Sequence, residues 1–230
     1  MRLNKLISQA GLGSRKQADI WIAEGRVTVN EQKADIGQKV TQADQVFFDG
    51  QPVDWHSSVF LVAYHKPVGV VCTHDQSVAN NLVESTGLTQ HFSAMGRLDK
   101  ASEGLMILTN QGELTNHILQ PAFAHEKEYW VEVDQALTQH FVTTMQQGVE
   151  IMGQMTKPCE VEATGECCFK IVLTQGLNKQ IRRMCKALGF RVLRLQRIRI
   201  AQVSLGDLAV NTLRELDDDE KLALQQLLPS

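Results

Sequence analysis

Apolar residues recur along this chain with two different periods, and the change of period divides it. "RLNKLISQAG" carries apolar side chains at Leu3, Leu6, Ile7 and Ala10, the spacing of a helix with one buried face, and Gly11 closes it. "SRKQADIWIAEG" opens on Ser14, whose hydroxyl can accept from a backbone N–H of the first turn, and repeats the stripe at Ala18, Trp21 and Ile22 before Gly25. "RVTVNEQKA" then alternates like a strand and turns at Asn30. The pattern predicts a compact helix–helix–hairpin module over residues 1–47. Residues 48–58, with "DGQPVDWHSS", lose both periods and read as a linker.

Residues 59–230 predict a larger domain of interleaved strands and helices. Strand-like stretches are "VFLVAYHKPVGVV", broken at Pro67 and Gly69, then "GLMILT", "EYWVEV", "CEVEA", "CFKIVLT" and "RVLRLQRIRI". Helical patterns lie at "GELTNHILQ", "TQHFVTTMQQGV" and "NKQIRRMCKALG". A last helix starts from Asp217, which with Glu220 three residues on resembles a capping box. Several adjacent strands punctuated by helices predict an α+β domain with a mixed, largely antiparallel sheet.

Composition changes this picture little, but the placement of charge changes it more. The 230 residues are 43% hydrophobic and 21% charged, an ordinary globular balance. No apolar run reaches the roughly 18 residues of a membrane span, and the first residues lack the apolar core of a signal peptide. A cytoplasmic protein with no membrane partner, acting as a monomer, is expected. The five cysteines show no C-x-x-C spacing and predict reduced thiols rather than disulfides or a zinc site. Formal net charge is −3, yet the forty residues from Cys167 to Gly206 hold nine basic residues and no carboxylate. That segregation predicts a track for a polyanion.

Three stretches carry residues that a pure core would not choose. Asp99 stands in "GRLD" at the mouth of an apolar strand. Tyr129 lies in "HEKEYWVEV", a phenol among charges. "GLNKQIRRM" puts Gly176 and Asn178 at a strand end and Arg182 on the second turn of the following helix. Each has a plain structural alternative: a turn aspartate, a half-buried strand tyrosine, and surface arginines.

Together the stretches are specific. "SRKQAD…I..GRVTVN" resembles the S4 RNA-binding domain. "GRLDKASEGLMILTN", "EKEYWV" and "GLNKQIRRMCKALGF.V..L.R.RI" resemble the RsuA/RluB/RluF branch of the ribosomal RNA pseudouridine synthases, nearest the RluF-type enzymes of large-subunit RNA. The resemblance spans practically the whole chain. One departure is "YHKPVG", where the family usually has an apolar residue and Asn before Lys-Pro.

The resemblance implies an isomerase that breaks the uridine N1–C1′ bond, turns the detached uracil and rejoins it through C5. It implies Asp99 as the catalytic aspartate, adding to C1′ or taking a proton from C2′. Either role needs an ionised carboxylate, and Arg182 is the partner the family implies for it. Tyr129 would stack on the uracil and Leu195 would pack on its other side, with Arg97 helping to hold the flipped nucleotide and Lys179 and Arg183 contacting RNA. Arg2, Lys5, Arg15, Lys16 and Arg26 would meet phosphates from the S4-like module. The expected partner is ribosomal RNA, with a tRNA uridine as alternative. No cofactor and no metal is implied, and no phosphate-binding glycine motif is present. Two readings compete: a non-catalytic RNA-binding assembly factor, and a glycosidase-like hydrolase, which would need a second carboxylate such as Glu103 near Asp99.

Overall fold

The computed structural model describes residues 1–55 and 59–228. The N-terminal module consists of α1 (Leu3–Gln9), α2 (Arg15–Ala23) and a four-stranded sheet of β1 (Val27–Val29), β2 (Gln32–Lys33), β3 (Val46–Phe48) and β4 (Gln51–Pro52), in the order β2-β1-β3-β4. Ser14 caps α2 by accepting from the Gln17 N–H, and the predicted apolar stripes face one core. Leu3, Leu6 and Ile7 are essentially inaccessible, and burial of such side chains contributes about 1.5–3 kcal/mol each.

The stretch expected as a linker instead completes this module. Phe47 and Phe48 pair with Pro52 and Gln51 across a two-residue turn at Asp49-Gly50, both with positive φ. Val53 is buried and Trp55 packs on the same core, its indole N–H donating to the Asp44 carbonyl at 3.2 Å. An Asp-Gly turn is a strong hairpin signal, and a proline is tolerated on an edge strand. Residues 56–58 of the expected linker lie outside the described residues.

The larger domain contains β5 (Leu61–Lys66), α3 (Leu82–Thr86), β6 (Ser93–Met95), β7 (Glu103–Thr109), α4 (Gly112–Leu119), β8 (Lys127–Val133), α5 (Gln139–Gln147), the small hairpin of β9 (Glu150–Ile151) and β10 (Gln154–Met155), β11 (Glu160–Gly165), β12 (Cys168–Leu173), α6 (Gln180–Ala187), β13 (Val192–Ile200), β14 (Val203–Ser204), β15 (Leu213–Glu215) and α7 (Asp218–Gln226). The main sheet runs β11-β12-β8-β13-β7-β5-β15, with β6 paired to β7 and β14 to β13. Its pairings are antiparallel except between β13 and β7, so the mixed, largely antiparallel sheet expected from the sequence is present. The capping box at Asp217 and Glu220 opens α7 as expected. His65, where the sequence departs from the family pattern it resembles, is a buried residue within β5, and its Nδ1 lies 2.7 Å from the Leu208 carbonyl.

That single parallel seam divides the sheet. One core lies under β8, β12 and β13, covered by α5 and α6, and two further clusters lie beside β5 and β7, one of them also taking in Ile200 of β13 and Val203 of β14. The two domains touch beside α4: Lys5 pairs with Glu113, the His91 N–H donates to the Gly11 carbonyl at 2.7 Å, and Asn110 Nδ2 donates to the Gln9 carbonyl at 3.0 Å.

Candidate functional site

Asp99 lies in the loop between β6 and β7. Because β6 pairs antiparallel with the far end of β7, the chain must travel back along the sheet before β7 begins, and residues 96–102 form that return. Leu98 is buried in the core below and anchors the loop. Asp99 is half-buried, while Arg97 and Lys100 on either side are exposed.

The loop is held from below by three cationic side chains that donate to its backbone. Arg197, 1% exposed, donates from Nη2 to the Gly96 carbonyl at 2.6 Å and from Nε to the Leu105 carbonyl at 2.7 Å. Lys66, inaccessible at the end of β5, donates to the carbonyls of Pro67 and Ser102, both at 2.8 Å. Burial pushes the Lys66 ammonium below the ordinary lysine range, against the smaller opposing pull of nearby negative charge that includes Asp99 and Glu103. Arg182 donates from Nη2 to the Ala101 carbonyl at 2.7 Å and the Ser102 hydroxyl at 3.2 Å, and from Nη1 to the Val192 carbonyl at 3.3 Å.

The expected pairing of Arg182 with Asp99 is therefore replaced by something else. The guanidinium spends its donors on the backbone two and three residues beyond Asp99, and no ion pair to Asp99 is formed among the described residues. Arg182 also sits in the first turn of α6 rather than the second. Lys179, in a left-handed conformation, takes the N-cap position of α6, and Asn178 accepts from Arg183 at 2.9 Å.

Above the loop opens a cleft of about 740 Å³. Asp99, Arg97, Tyr129, Lys179, Leu195 and Arg197 all line it. Tyr129 projects from β8, where its cross-strand neighbours are Ile171 on β12 and Arg197 on β13. Leu195, 7% exposed, comes from β13 two residues before Arg197. The cleft thus joins an acid from the β7 side of the seam to a phenol and an apolar side chain from the β8–β13 side. Lys127 at its floor is buried, which pushes its ammonium down. Glu103, the candidate second carboxylate, is 8% exposed and paired with Arg194, so it is committed as a counter-charge.

The basic segment is not the continuous RNA track that the sequence suggests. β13 lies between β8 and β7, whose carboxylates meet its arginines: Arg199 pairs with Glu128 at 2.8 Å and Glu126 at 3.0 Å, and Arg194 with Glu103. Arg191 approaches Asp134 at 3.6 Å and Lys170 approaches Glu128 at 3.9 Å. Only Lys179, Arg183 and Lys186 remain without an acidic partner among the described residues once Arg182 and Arg197, which bond backbone carbonyls, are set aside. Forty residues without a carboxylate are neutralised by strands distant in sequence and adjacent in space.

In the N-terminal module Arg2, Arg15 and Lys16 are exposed. Two other expected phosphate contacts are occupied. Lys5 pairs with Glu113 across the domain boundary, and Arg26 holds Asp49 in a bidentate pair while stacking over Phe48, 4.9 Å from its ring centre. Arg197 and Lys66 are the residues that reasoning from the sequence missed as parts of the site. The available signal was the pair Gly96 and Gly104, which leave room for Arg197. A Cβ on Gly96 would stand 3.1 Å from its guanidinium, and one on Gly104 would stand 2.3 Å from its carbonyl oxygen.

The thiols take no visible part. Burial pushes Cys159 up to about 11 and Cys185 up to about 12, and also raises Cys72, which lines the cleft. Among the described residues no group of three or more His, Cys, Asp or Glu could hold a metal, and no helix is long and apolar enough to cross a membrane.

Comparison with known proteins matches residues 60–187 to the RNA pseudouridylate synthase family and residues 1–46 to the S4 domain. Over 99% of its length the chain is 42% identical to the dual-specificity RNA pseudouridine synthase RluF of Escherichia coli strain K12, covering 79% of that protein. It is 30% identical to the ribosomal large subunit pseudouridine synthase B of Bacillus subtilis, with 98% of this chain and 96% of that one covered. A crystal structure of a pseudouridylate synthase superposes with a TM-score of 0.67 at 26% identity, over 97% of this chain and 99% of the other.

Proposed function

The chain belongs to the RNA pseudouridylate synthase family and carries an S4 domain, and from that premise we propose that it isomerises a specific uridine of large-subunit ribosomal RNA, with Asp99 as its catalytic carboxylate. The observation that carries the assignment of residues is the cleft itself, which gathers Asp99, Tyr129 and Leu195 from three separate stretches of chain. The large-subunit target is supported by the specificity named for the Bacillus relative. A second RNA substrate, such as a tRNA uridine, is favoured by the dual specificity named for the Escherichia coli relative.

The reaction balances without any co-reactant. The N1–C1′ bond breaks, the C5–C1′ bond forms, C5 loses a proton and N1 gains one. Two routes are open to Asp99: addition to C1′, or removal of the C2′ proton. Both need it ionised. Lys66 and Arg197 hold the half-buried loop that carries it from beneath, through the Ser102 and Gly96 carbonyls. Arg182 serves the same end, by holding the backbone at Ala101 and Ser102.

Tyr129 and Leu195 offer an aromatic face and an apolar wall for a uracil turned out of its helix, and exclude the water that would end the reaction as hydrolysis. Glu103 is held by Arg194, so the second carboxylate of a glycosidase is missing from the arrangement. Exposed Arg97 and Lys179 at the cleft are placed for backbone phosphates, as are Arg2, Arg15 and Lys16 of the S4 domain.

The test is Asp99→Asn, which conserves size but can neither attack C1′ nor accept its neighbour's proton. Turnover on ribosomal RNA should vanish while RNA affinity stays within about twofold of wild type, the carboxylate making no favourable phosphate contact. Pseudouridine mapping in RNA from cells with and without the gene identifies the nucleotide. A turnover near wild type in the variant refutes the assignment.

A further inference from the structure

Arg197 occupies a position in the sheet that touches both halves of the cleft. Its backbone is the cross-strand partner of Gly104 on β7 and of Tyr129 on β8. Its side chain turns under the loop of Asp99 and bonds two carbonyls, Gly96 three residues before the aspartate and Leu105 six residues after it. At 1% exposure its side chain is closed off from bulk solvent. The surroundings are shaped to admit it: Gly96 and Gly104 both adopt positive φ, and a side chain on either would meet Arg197 atoms at 3.1 Å and 2.3 Å. Lys66 grips one end of the loop only, through Pro67 and Ser102.

We propose that Arg197 is a positioning residue of the isomerisation, setting the distance between the Asp99 loop and the Tyr129 strand by bonding the first carbonyl of the loop, at Gly96, and the β7 carbonyl of Leu105 beyond its end, from the strand beside Tyr129. The inference rests on the roles proposed above for Asp99 and Tyr129. A planar guanidinium with five donors spans two carbonyls at once, whereas an ammonium in the same space reaches them only as a point charge. Loss of the fork frees the loop while leaving the phosphate-binding surface untouched, because Arg197 itself is hidden from RNA.

The experiment compares Arg197→Lys and Arg197→Met with wild type in single-turnover isomerisation of the identified RNA at saturating protein, well below each variant's melting temperature, alongside RNA affinity. A displacement of about an ångström at the reacting groups costs about 100-fold in rate, so Arg197→Met should lose about that factor and Arg197→Lys a smaller one, with Kd for RNA unchanged. If Arg197→Met fails to fold, Arg197→Lys, which retains the buried charge, carries the test alone. A wild-type rate in Arg197→Lys, or a defect that a higher protein concentration abolishes, overturns the proposal. Asp99→Asn in the same assay separates the failures. An active Asp99→Asn sinks the assignment underneath, whereas an inactive Asp99→Asn with a full-rate Arg197→Lys sinks only the role of Arg197.

Discussion

The two N-terminal helices and strand β13 are both basic in sequence, and they use their charge in opposite ways. In the module Arg2, Arg15 and Lys16 stand exposed, free to meet a polyanion. On β13 Arg194 and Arg199 are paired with carboxylates of flanking strands, and Arg197 is sealed under a loop. The difference lies in the neighbours. A short helix on the edge of a small domain has solvent on one side, whereas a central strand is flanked by two others whose side chains lie about 5 Å away and select complementary charges. Basic density along a sequence thus indicates an RNA surface only where the fold leaves the charges unanswered.

The sharpest way to break the comparison is at the seam that buries the β13 charges. Gly104→Ala would put a methyl carbon 2.3 Å from the Arg197 carbonyl oxygen at a φ of +115°. It should cost at least about 3 kcal/mol, read as a fall in melting temperature or as insoluble protein. A wild-type melting temperature would mean that the strands part without penalty.

Arg199→Ala sharpens the contrast at smaller scale. It leaves Glu128, whose side chain is 20% exposed, without its main partner. The expected loss is about 1.5–3 kcal/mol of stability with RNA affinity little changed. A binding defect in a variant of normal stability would return Arg199 to the RNA surface.

The opposite pattern is expected from Arg15→Ala combined with Lys16→Ala. Stability should move by less than about 0.5 kcal/mol, because neither residue holds anything in the fold. The slope of log affinity against log salt should fall by about 1–2, one released counterion for each lost phosphate contact. An unchanged slope would show that this face of the S4 domain never meets RNA.

Legibility from sequence followed the same division. Elements with long, regular patterns were readable: both N-terminal helices, the six principal strands and the capped last helix, whose signals are local. The missed elements are short or carry edge chemistry. β4 hides in a Pro/Gly stretch because an edge strand needs no central hydrogen-bond ladder, and its Asp49-Gly50 turn was the overlooked sign. At the site, Asp99, Tyr129 and Leu195 were placed by their motifs and do line one cleft. The partner of the carboxylate was not readable, since whether Arg182 reaches a side chain or a carbonyl two residues away depends on the course of the backbone. Lys5 and Arg26 looked like phosphate ligands because their partners, Glu113 and Asp49, lie far along the chain.

The parallel seam between β7 and β13 has a consequence for the order in which the molecule assembles. The cluster under β8, β12 and β13 and the one that holds Tyr64 and Met106 of β5 and β7 can each gather on its own side, whereas the seam joins strands about ninety residues apart, and such closures cost the most chain entropy before any contact repays them. Asp99 belongs to one half, and Tyr129 and Leu195 to the other. Secondary structure and most of the core can therefore form in a chain that has no catalytic cleft at all. Of the probes that could follow refolding, isomerisation alone reports the moment when the two halves meet.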